Sequence, residues 1–206
     1  MQENKGLDLY RSRIVTAEKA ISLIDSSSHN VFLAPFCNEP QQLVKELIRQ
    51  KERFHLLNLY TCIVGSPCLY AESEGNPHFF IKTFLGSSLL KGVFHAGNGD
   101  YIPLNLSELP EWVETNKIDF AMIQVTPPNH DGYCNLGISV DIIQSLSKHA
   151  GIVIAQVNSN LPRTFGDTEI HVSEIDYFVE SNDSLLTISS GIPNKTTLSR
   201  ILFNAS

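Results

Sequence analysis

Charge is scarce in this sequence. Acidic and basic side chains make up 18% of it, below the usual quarter. A low charge fits either a large core or a surface that faces a partner, and composition leaves both open. Basic residues are the scarcer sign, 15 against 22 acidic. The resulting net charge of −7 excludes coating of nucleic acid or of an anionic membrane by bulk electrostatics. The densest basic group, Arg49, Lys51 and Arg53, closes a predicted helix, where cations suit the helix dipole. The four cysteines, Cys37, Cys62, Cys68 and Cys134, include no C-x-x-C pair. Among the zinc-type residues His95, His130, Cys134 and His171, only His130 and Cys134 are four apart. Gly132 between them argues against the helix that such a spacing needs, so no metal site is expected. No apolar run approaches a membrane span, and residues 1–5 are too polar for the core of a signal peptide. The expectation is a cytoplasmic protein with reduced thiols.

What is present is an alternation of helical stripes and short apolar runs. Thr16 is placed to cap a helix carrying Ala17, Ala20, Ile21 and Ile24 on one face. Val31-Phe32-Leu33-Ala34 reads as a buried strand. Pro40 then opens a helix striped by Leu43, Val44, Leu47 and Ile48. Strands are predicted at 55–63, 92–95, 120–125, 152–155 and 177–179. Residues 79–84 fit strand or helix equally. Residues 107–115 hold a turn or two of helix, and Ser139 is read as the cap of a helix with Ile142, Ile143 and Leu146. This order predicts an α/β fold, a mainly parallel sheet with helices on both faces. Residues 1–185 form the expected domain and 186–206 a C-terminal connecting segment. Chemistry in such sheets gathers beyond the carboxyl ends of the strands.

Three segments are rich in functional side chains. After the strand at 120–125 come Pro127-Pro128-Asn129-His130-Asp131-Gly132-Tyr133-Cys134-Asn135 and, shortly after, Gly137. Two prolines stiffen this exit, and the glycines permit tight turns or close approach to a ligand. The same residues also suit a rigid turn that only reverses the chain. Cys134 with His130 or His171 is a possible nucleophilic pair, or Cys134 is a small wall residue. After the strand at 152–157 come Asn158 and Arg163. Asn158 can face a ligand carbonyl or cap a turn; Arg163 can meet a carboxylate or phosphate, or pair with Asp167. The third segment, His95 to Pro103, carries Gly97 and Gly99, which can cradle a phosphate or simply form a turn.

Read in order, these strings resemble the acetyl-CoA hydrolase/CoA-transferase family, which includes 4-hydroxybutyrate and related CoA-transferases. The resemblance rests on Asp119-Phe120-Ala121-Met122-Ile123-Gln124-Val125-Thr126-Pro127-Pro128, running on through His130, Gly132-Tyr133-Cys134 and Leu136-Gly137. It continues through Val153 to Asn158, Leu161-Pro162-Arg163-Thr164, Gly166-Asp167 and Ile170 to Asp176, and more loosely at Gly97 to Pro103. It implies two α/β domains per polypeptide with the active site between them. A glutamate of the second domain attacks the acyl-CoA thioester, and the acyl-glutamyl anhydride exchanges with CoA to give a glutamyl-CoA thioester. A second carboxylic acid then collects the CoA, or water takes the acyl group in hydrolases. It implies no catalytic residue in this chain, and substrate contacts at Pro128, His130, Gly132, Tyr133, Cys134, Asn158 and Arg163. Gly97 and Gly99 are the candidate cofactor contacts. Coenzyme A is a substrate, with no permanently bound cofactor.

The sequence departs from the family pattern at informative places. Asn98 stands where the family usually has arginine, and Ser26-Ser27-Ser28-His29-Asn30 replaces a glycine-containing turn. Asn129 and Asn135 also replace more usual residues. Glu174 and Glu180 fall in first-domain segments and read as structural, so no nucleophile motif is found. The expected partners are an acyl-CoA, a small carboxylic acid, and either a second CoA-transferase-like domain or subunit or a further copy of the chain. Three readings follow: a subunit of a split enzyme, a piece of a longer one, or a non-catalytic stand-alone domain that binds a CoA ester or a partner protein.

Overall fold

A computed structural model of the chain describes residues 5–27, 29–65, 68–71 and 77–187. Seven parallel strands form one sheet: β1 (Asn30–Leu33), β2 (Leu57–Thr61), β3 (Phe79–Thr83), β4 (Gly99–Tyr101), β5 (Phe120–Val125), β7 (Ile152–Asn158) and β9 (Tyr177–Ser181). Their spatial order is β4-β3-β2-β1-β5-β7-β9. Two further strands, β6 (Tyr133–Asn135) and β8 (Glu169–His171), pair antiparallel outside it. Residues 79–84, ambiguous in sequence, contain β3. The expected connecting segment at 186–206 lies outside the described residues except for its first two.

Helices cover both faces, as the near-continuous apolar strands require. On one face α2 (Ala17–Ser22), α3 (Gln41–Arg49) and α4 (Lys91–His95) pack on Val31, Leu33, Leu59, Ile81, Met122 and Ile154. On the other, α1 (Lys5–Ser12), α5 (Leu109–Thr115) and α6 (Ile143–His149) pack on Phe32, Ala121, Ile123, Val153, Ala155 and Phe178. Odd and even strand positions thus divide between two cores, the period-two rule of a pleated sheet. Thr16 caps α2 as expected, its hydroxyl accepting from Lys19 N at 3.1 Å. Pro40 sits at the N-cap of α3.

Two expectations are corrected. Residues 92–95 belong to α4, not to a strand. A preceding turn capped by Ser87 feeds directly into it, and only Leu90 and Val93, three apart, are fully buried there. Ser139 does not cap α6. Asp141 has a positive φ of 33°, which interrupts helical backbone, and the helix starts at Ile143. Helix α1 was not expected, because one buried residue, Tyr10, gives it no stripe. Tyr10 packs edge-on against Phe178 at 4.8 Å and donates to the Glu180 carboxylate at 2.8 Å.

Candidate functional site

The chain runs outward from β1 through β2, β3 and β4, then returns to β5 on the other side of β1. The strand order therefore reverses between β1 and β5. In parallel sheets, ligands sit beyond the carboxyl ends at such a switch point. The loops there are 34–40 after β1 and 126–132 after β5, with 159–168 after β7 alongside.

The loops after β5 and β7 are one structure. Strand β6 ends the first and pairs with β8, which follows the second, so that Tyr133 lies opposite His171 with ring centroids 4.9 Å apart. Asn129 folds the first loop: its Oδ1 accepts from Asp131 N at 3.0 Å and Tyr133 N at 2.9 Å. Asn135 joins the two loops. Its Oδ1 accepts from Gly137 N at 2.9 Å and Thr164 N at 3.0 Å, and its Nδ2 donates to Thr164 O at 3.0 Å and Thr168 Oγ1 at 2.8 Å. Gly137 has φ 71°, and a Cβ there would stand 2.5 Å from Leu161 Cγ, so the close crossing of the loops needs glycine. Arg163 clamps the assembly. Its guanidinium donates to Thr126 Oγ1, Pro127 O and Tyr133 O at 3.2–3.3 Å and meets Glu169 at 3.3 Å. It pairs with Glu169, not with Asp167.

Beneath these loops the strand ends carry a buried amide network. Asn158 is 0% exposed; its Nδ2 donates to Gln124 Oε1 at 3.0 Å and Asp183 O at 2.9 Å, and its Oδ1 accepts from Asn160 N at 3.0 Å. Gln156 donates to the same Gln124 oxygen at 3.1 Å and accepts from Gln42 N, in the first turn of α3, at 2.9 Å. Asn38, from the loop after β1, donates to the carbonyls of Gln124, Leu136 and Ser139 at 3.0–3.3 Å. The network ties the three loops to one another. A cleft of about 500 Å³ opens beside it, walled by Pro127, Pro128, Val157, Ser159 and Glu180, with Tyr10 and Arg11 of α1 opposite.

The sequence-predicted residues separate into groups. Pro128, His130, Gly132 and Tyr133 share the loop after β5, and Pro128 lines the cleft; His130 and Tyr133 are exposed. Cys134 is fully buried in the core, and burial pushes its thiol up to about 12, which leaves it no thiolate for nucleophilic work at neutral pH. Asn158 lies under the loops with both amide hydrogens engaged. Gly97 and Gly99 are elsewhere. Gly97, with φ 72°, precedes β4 and so lies at the amino-terminal end of the parallel sheet. A Cβ on Gly99 would meet Ile81 O and Val93 Cγ1 at 2.8 Å, a packing reason for that glycine. Among the described residues no cluster of three His, Cys, Asp or Glu side chains can hold a metal, and no helix is long and apolar enough to cross a membrane.

The loop after β1 was not singled out in the sequence. Phe36 has φ 57°, rare for a bulky side chain, and Glu39 is 2% exposed. Desolvation raises the Glu39 carboxyl from 4.5 to about 7, against the opposing hydrogen bonds from Tyr70 and Gln41. The one sequence signal was an acidic residue immediately before a helix-opening proline.

Comparison with known proteins agrees with this geometry. Residues 2–189 match the family model of the acetyl-CoA hydrolase/transferase N-terminal domain. The 4-hydroxybutyrate coenzyme A transferase of Clostridium kluyveri is 35% identical over 183 residues, covering 88% of this chain and 42% of that protein. The crystal structure of RipA from Yersinia pestis superposes with a TM-score of 0.82 at 27% identity, covering 97% of this chain and 50% of that one. A chain of a variant of the decarboxylase AibA/AibB shares the fold at a TM-score of 0.58 and 17% identity, over 94% of this chain and 93% of that one. The chain thus spans half or less of the CoA-transferase and of RipA, whereas the same fold fills nearly a whole chain in the decarboxylase. With strand order, loop strings and family model in agreement over nearly its whole described length, this chain belongs to the acetyl-CoA hydrolase/transferase family, as an N-terminal domain.

Proposed function

We propose that this domain is one half, or one subunit, of a CoA-transferase or acyl-CoA hydrolase that moves CoA between an acyl-CoA and a small carboxylic acid. The glutamate nucleophile comes from a second α/β domain or a separate subunit. The observation that carries this reading is the fused pair of loops after β5 and β7. The strings that match the family converge there, beside the cleft at the carboxyl ends of the strands. Pro128, His130 and Tyr133 form the outward rim that shapes the acid or acyl pocket. Gly132 and Cys134 hold that rim's turn and its inner side. Arg163 and Asn158 act as positioning residues, because their donors are engaged with loop oxygens. Coenzyme A enters as substrate, and no permanently bound cofactor is required by this chemistry.

The second half meets the chain across the same rim. Phe165, 102% exposed, stands beside the backbone that Asn135 locks, and Tyr133 and Ile138 on the partner loop are also exposed. A rigidly presented aromatic side chain is suited to anchor a partner, since little freedom is lost when it docks. The partial span of the relatives supports a second α/β half as that partner. The test is acyl transfer from acetyl-CoA to short carboxylic acids, with the chain alone and with a candidate second half added. Transfer in the mixture alone is the expected result. Tight CoA-ester binding without transfer in either would favour the non-catalytic binding domain instead.

A further inference from the structure

One wall of the cleft at the carboxyl ends is helix α1, and that wall is pinned. Gly6 lies so close to the loop after β5 that a Cβ there would stand 3.0 Å from Gly132 Cα. Arg13, just past the helix, donates to the carbonyls of Val172, Ser173 and Ile175. Tyr10, edge-on to Phe178, reaches across to Glu180 on β9. Two of the residues lining the cleft are charged, and they have opposite signs: Arg11 on α1 and Glu180 on β9. Tyr10 donates to Oε1 of Glu180, and among the described residues no donor meets Oε2 and no cation pairs with this carboxylate. Arg11 Nη1 meets Asp8 Oδ1 at 3.3 Å, but the two side chains are 69% and 65% exposed. Such a pair is weak, and it engages one of the five guanidinium N–H groups.

The rest of the lining is largely apolar, from Leu7, Pro127, Pro128 and Val157. Its polar remainder is partly self-satisfied: Ser159 donates to Asn182 Oδ1 at 2.6 Å, and Ser181 Oγ accepts from Asp183 N at 3.1 Å. A plain carboxylic acid entering this cleft would gain Arg11 and be repelled by Glu180. A plain amine would meet the converse. A molecule with both charges, joined by a short methylene chain, satisfies the two residues at once and lays its chain on the prolines. The unmatched charge in each single-ended competitor supplies the discrimination. We propose that this cleft binds an ω-amino carboxylic acid, its carboxylate on Arg11 and its ammonium on the free oxygen of Glu180, and that these two residues select it over the unsubstituted acid. That such a molecule is the carboxylic acid of the CoA transfer rests on the proposed transferase function; its binding does not.

The test is titration of the full chain at pH 7, followed by backbone amide NMR shifts. The probes are the ω-amino acids from 3-aminopropanoate to 6-aminohexanoate, with the unsubstituted acids and the alkylamines of matching length. One amino acid of the series is expected to shift the amides of Tyr10, Arg11, Glu180 and Ser181, and to bind about fivefold more tightly than its matching acid or amine. Glu180→Gln keeps an oxygen for the Tyr10 hydroxyl and removes the charge. In that variant the amino acid and the plain acid should bind equally. In Arg11→Gln the amino acid and the plain amine should bind equally. An unsubstituted acid that binds the unaltered chain as tightly as the amino acid overturns the proposal. So does discrimination that survives Glu180→Gln, or the absence of shifts with every probe. Unchanged amide spectra away from the cleft verify that both variants are folded. Binding as expected, with no transfer once a second half is added, would count against the transferase function alone. Transfer to plain acids with no amino-acid binding would overturn this inference alone.

Discussion

Two loop systems meet at the carboxyl ends of the strands, and one of them depends on an ionisable group as the other does not. The loops after β5 and β7 are fastened largely by neutral amides: Asn129 accepts from two backbone N–H groups, and Asn135 and Asn158 direct their donors and acceptors at backbone, Thr168 and Gln124. The loop after β1 shares that fastening through Asn38, but it adds an ionisable group, Glu39, which accepts from Gln41 and Tyr70. A network of amides has the same strength at every pH from 5 to 9, because none of its members titrates there. A network through a buried carboxyl is conditional on a proton. The comparison predicts one rigid wall and one responsive wall on the same crevice.

Breaking the rigid wall should have the largest effect. Asn135→Ala removes the bonds to Gly137, Thr164 and Thr168 and leaves buried backbone N–H groups without acceptors. Each such orphan costs about 1–3 kcal/mol, so a loss of about 4 kcal/mol in unfolding free energy is expected. Urea unfolding at pH 5.5 and at pH 8.5 checks both the size and the prediction that the loss is equal at the two values. Hydrogen exchange at Thr164 and Gly137 should accelerate together. Exchange that remains slow would mean that Arg163 holds the loops without the asparagine.

The responsive wall should show its pH dependence in stability. The folded chain retains the Glu39 proton up to about pH 7, whereas the unfolded chain releases it near 4.5. A raised carboxyl favours the folded state most below pH 4.5, and that contribution is lost as pH rises through about 7. The full difference is about 3 kcal/mol. Glu39→Gln keeps the side chain's shape and does not titrate. It should therefore be more stable than the unaltered chain by up to that amount at pH 8.5, and nearly equal to it at pH 4.5. Equal stability at pH 8.5 would mean that water or a neighbouring group reaches the carboxylate.

The two walls were also unequally legible in the sequence. The loops after β5 and β7 stood out because they follow long apolar runs and carry prolines, glycines and unusual polar strings. Their place on the sheet followed from parallel topology alone. Their internal roles did not. Asn135 reads as a substitution in a one-dimensional string and becomes the link between two loops only when β6 pairs with β8, 34 positions apart in the Asn135–Glu169 register. Arg163 reads as a ligand contact or as the partner of Asp167, and two of its acceptors are main-chain oxygens that no sequence pattern displays. The loop after β1 escaped notice because the switch point is a property of strand order. That order depends on where the chain goes after β4, which periodicity does not reveal. Helix α4 was mistaken for a strand because five residues are too few to distinguish a period of 3.6 from one of 2.

The smallest effect on stability, and the sharpest test of what the rigid wall is for, concerns Phe165. Its ring touches nothing that folding buries, so Phe165→Ser should change unfolding free energy by less than about 0.5 kcal/mol. A locked loop that ends in an unburied aromatic ring makes physical sense if the ring is buried by something else. Docking it into a second α/β half would remove most of its apolar area from water, worth about 2 kcal/mol. The variant should then bind that half about 30-fold more weakly, as read by titration calorimetry or by the concentration needed to restore transfer. The pairing of unchanged stability with weakened association separates an anchor from a structural residue. Equal association by both proteins would move the contact to another part of the rim, and Tyr133 and Ile138 would be the next side chains to truncate.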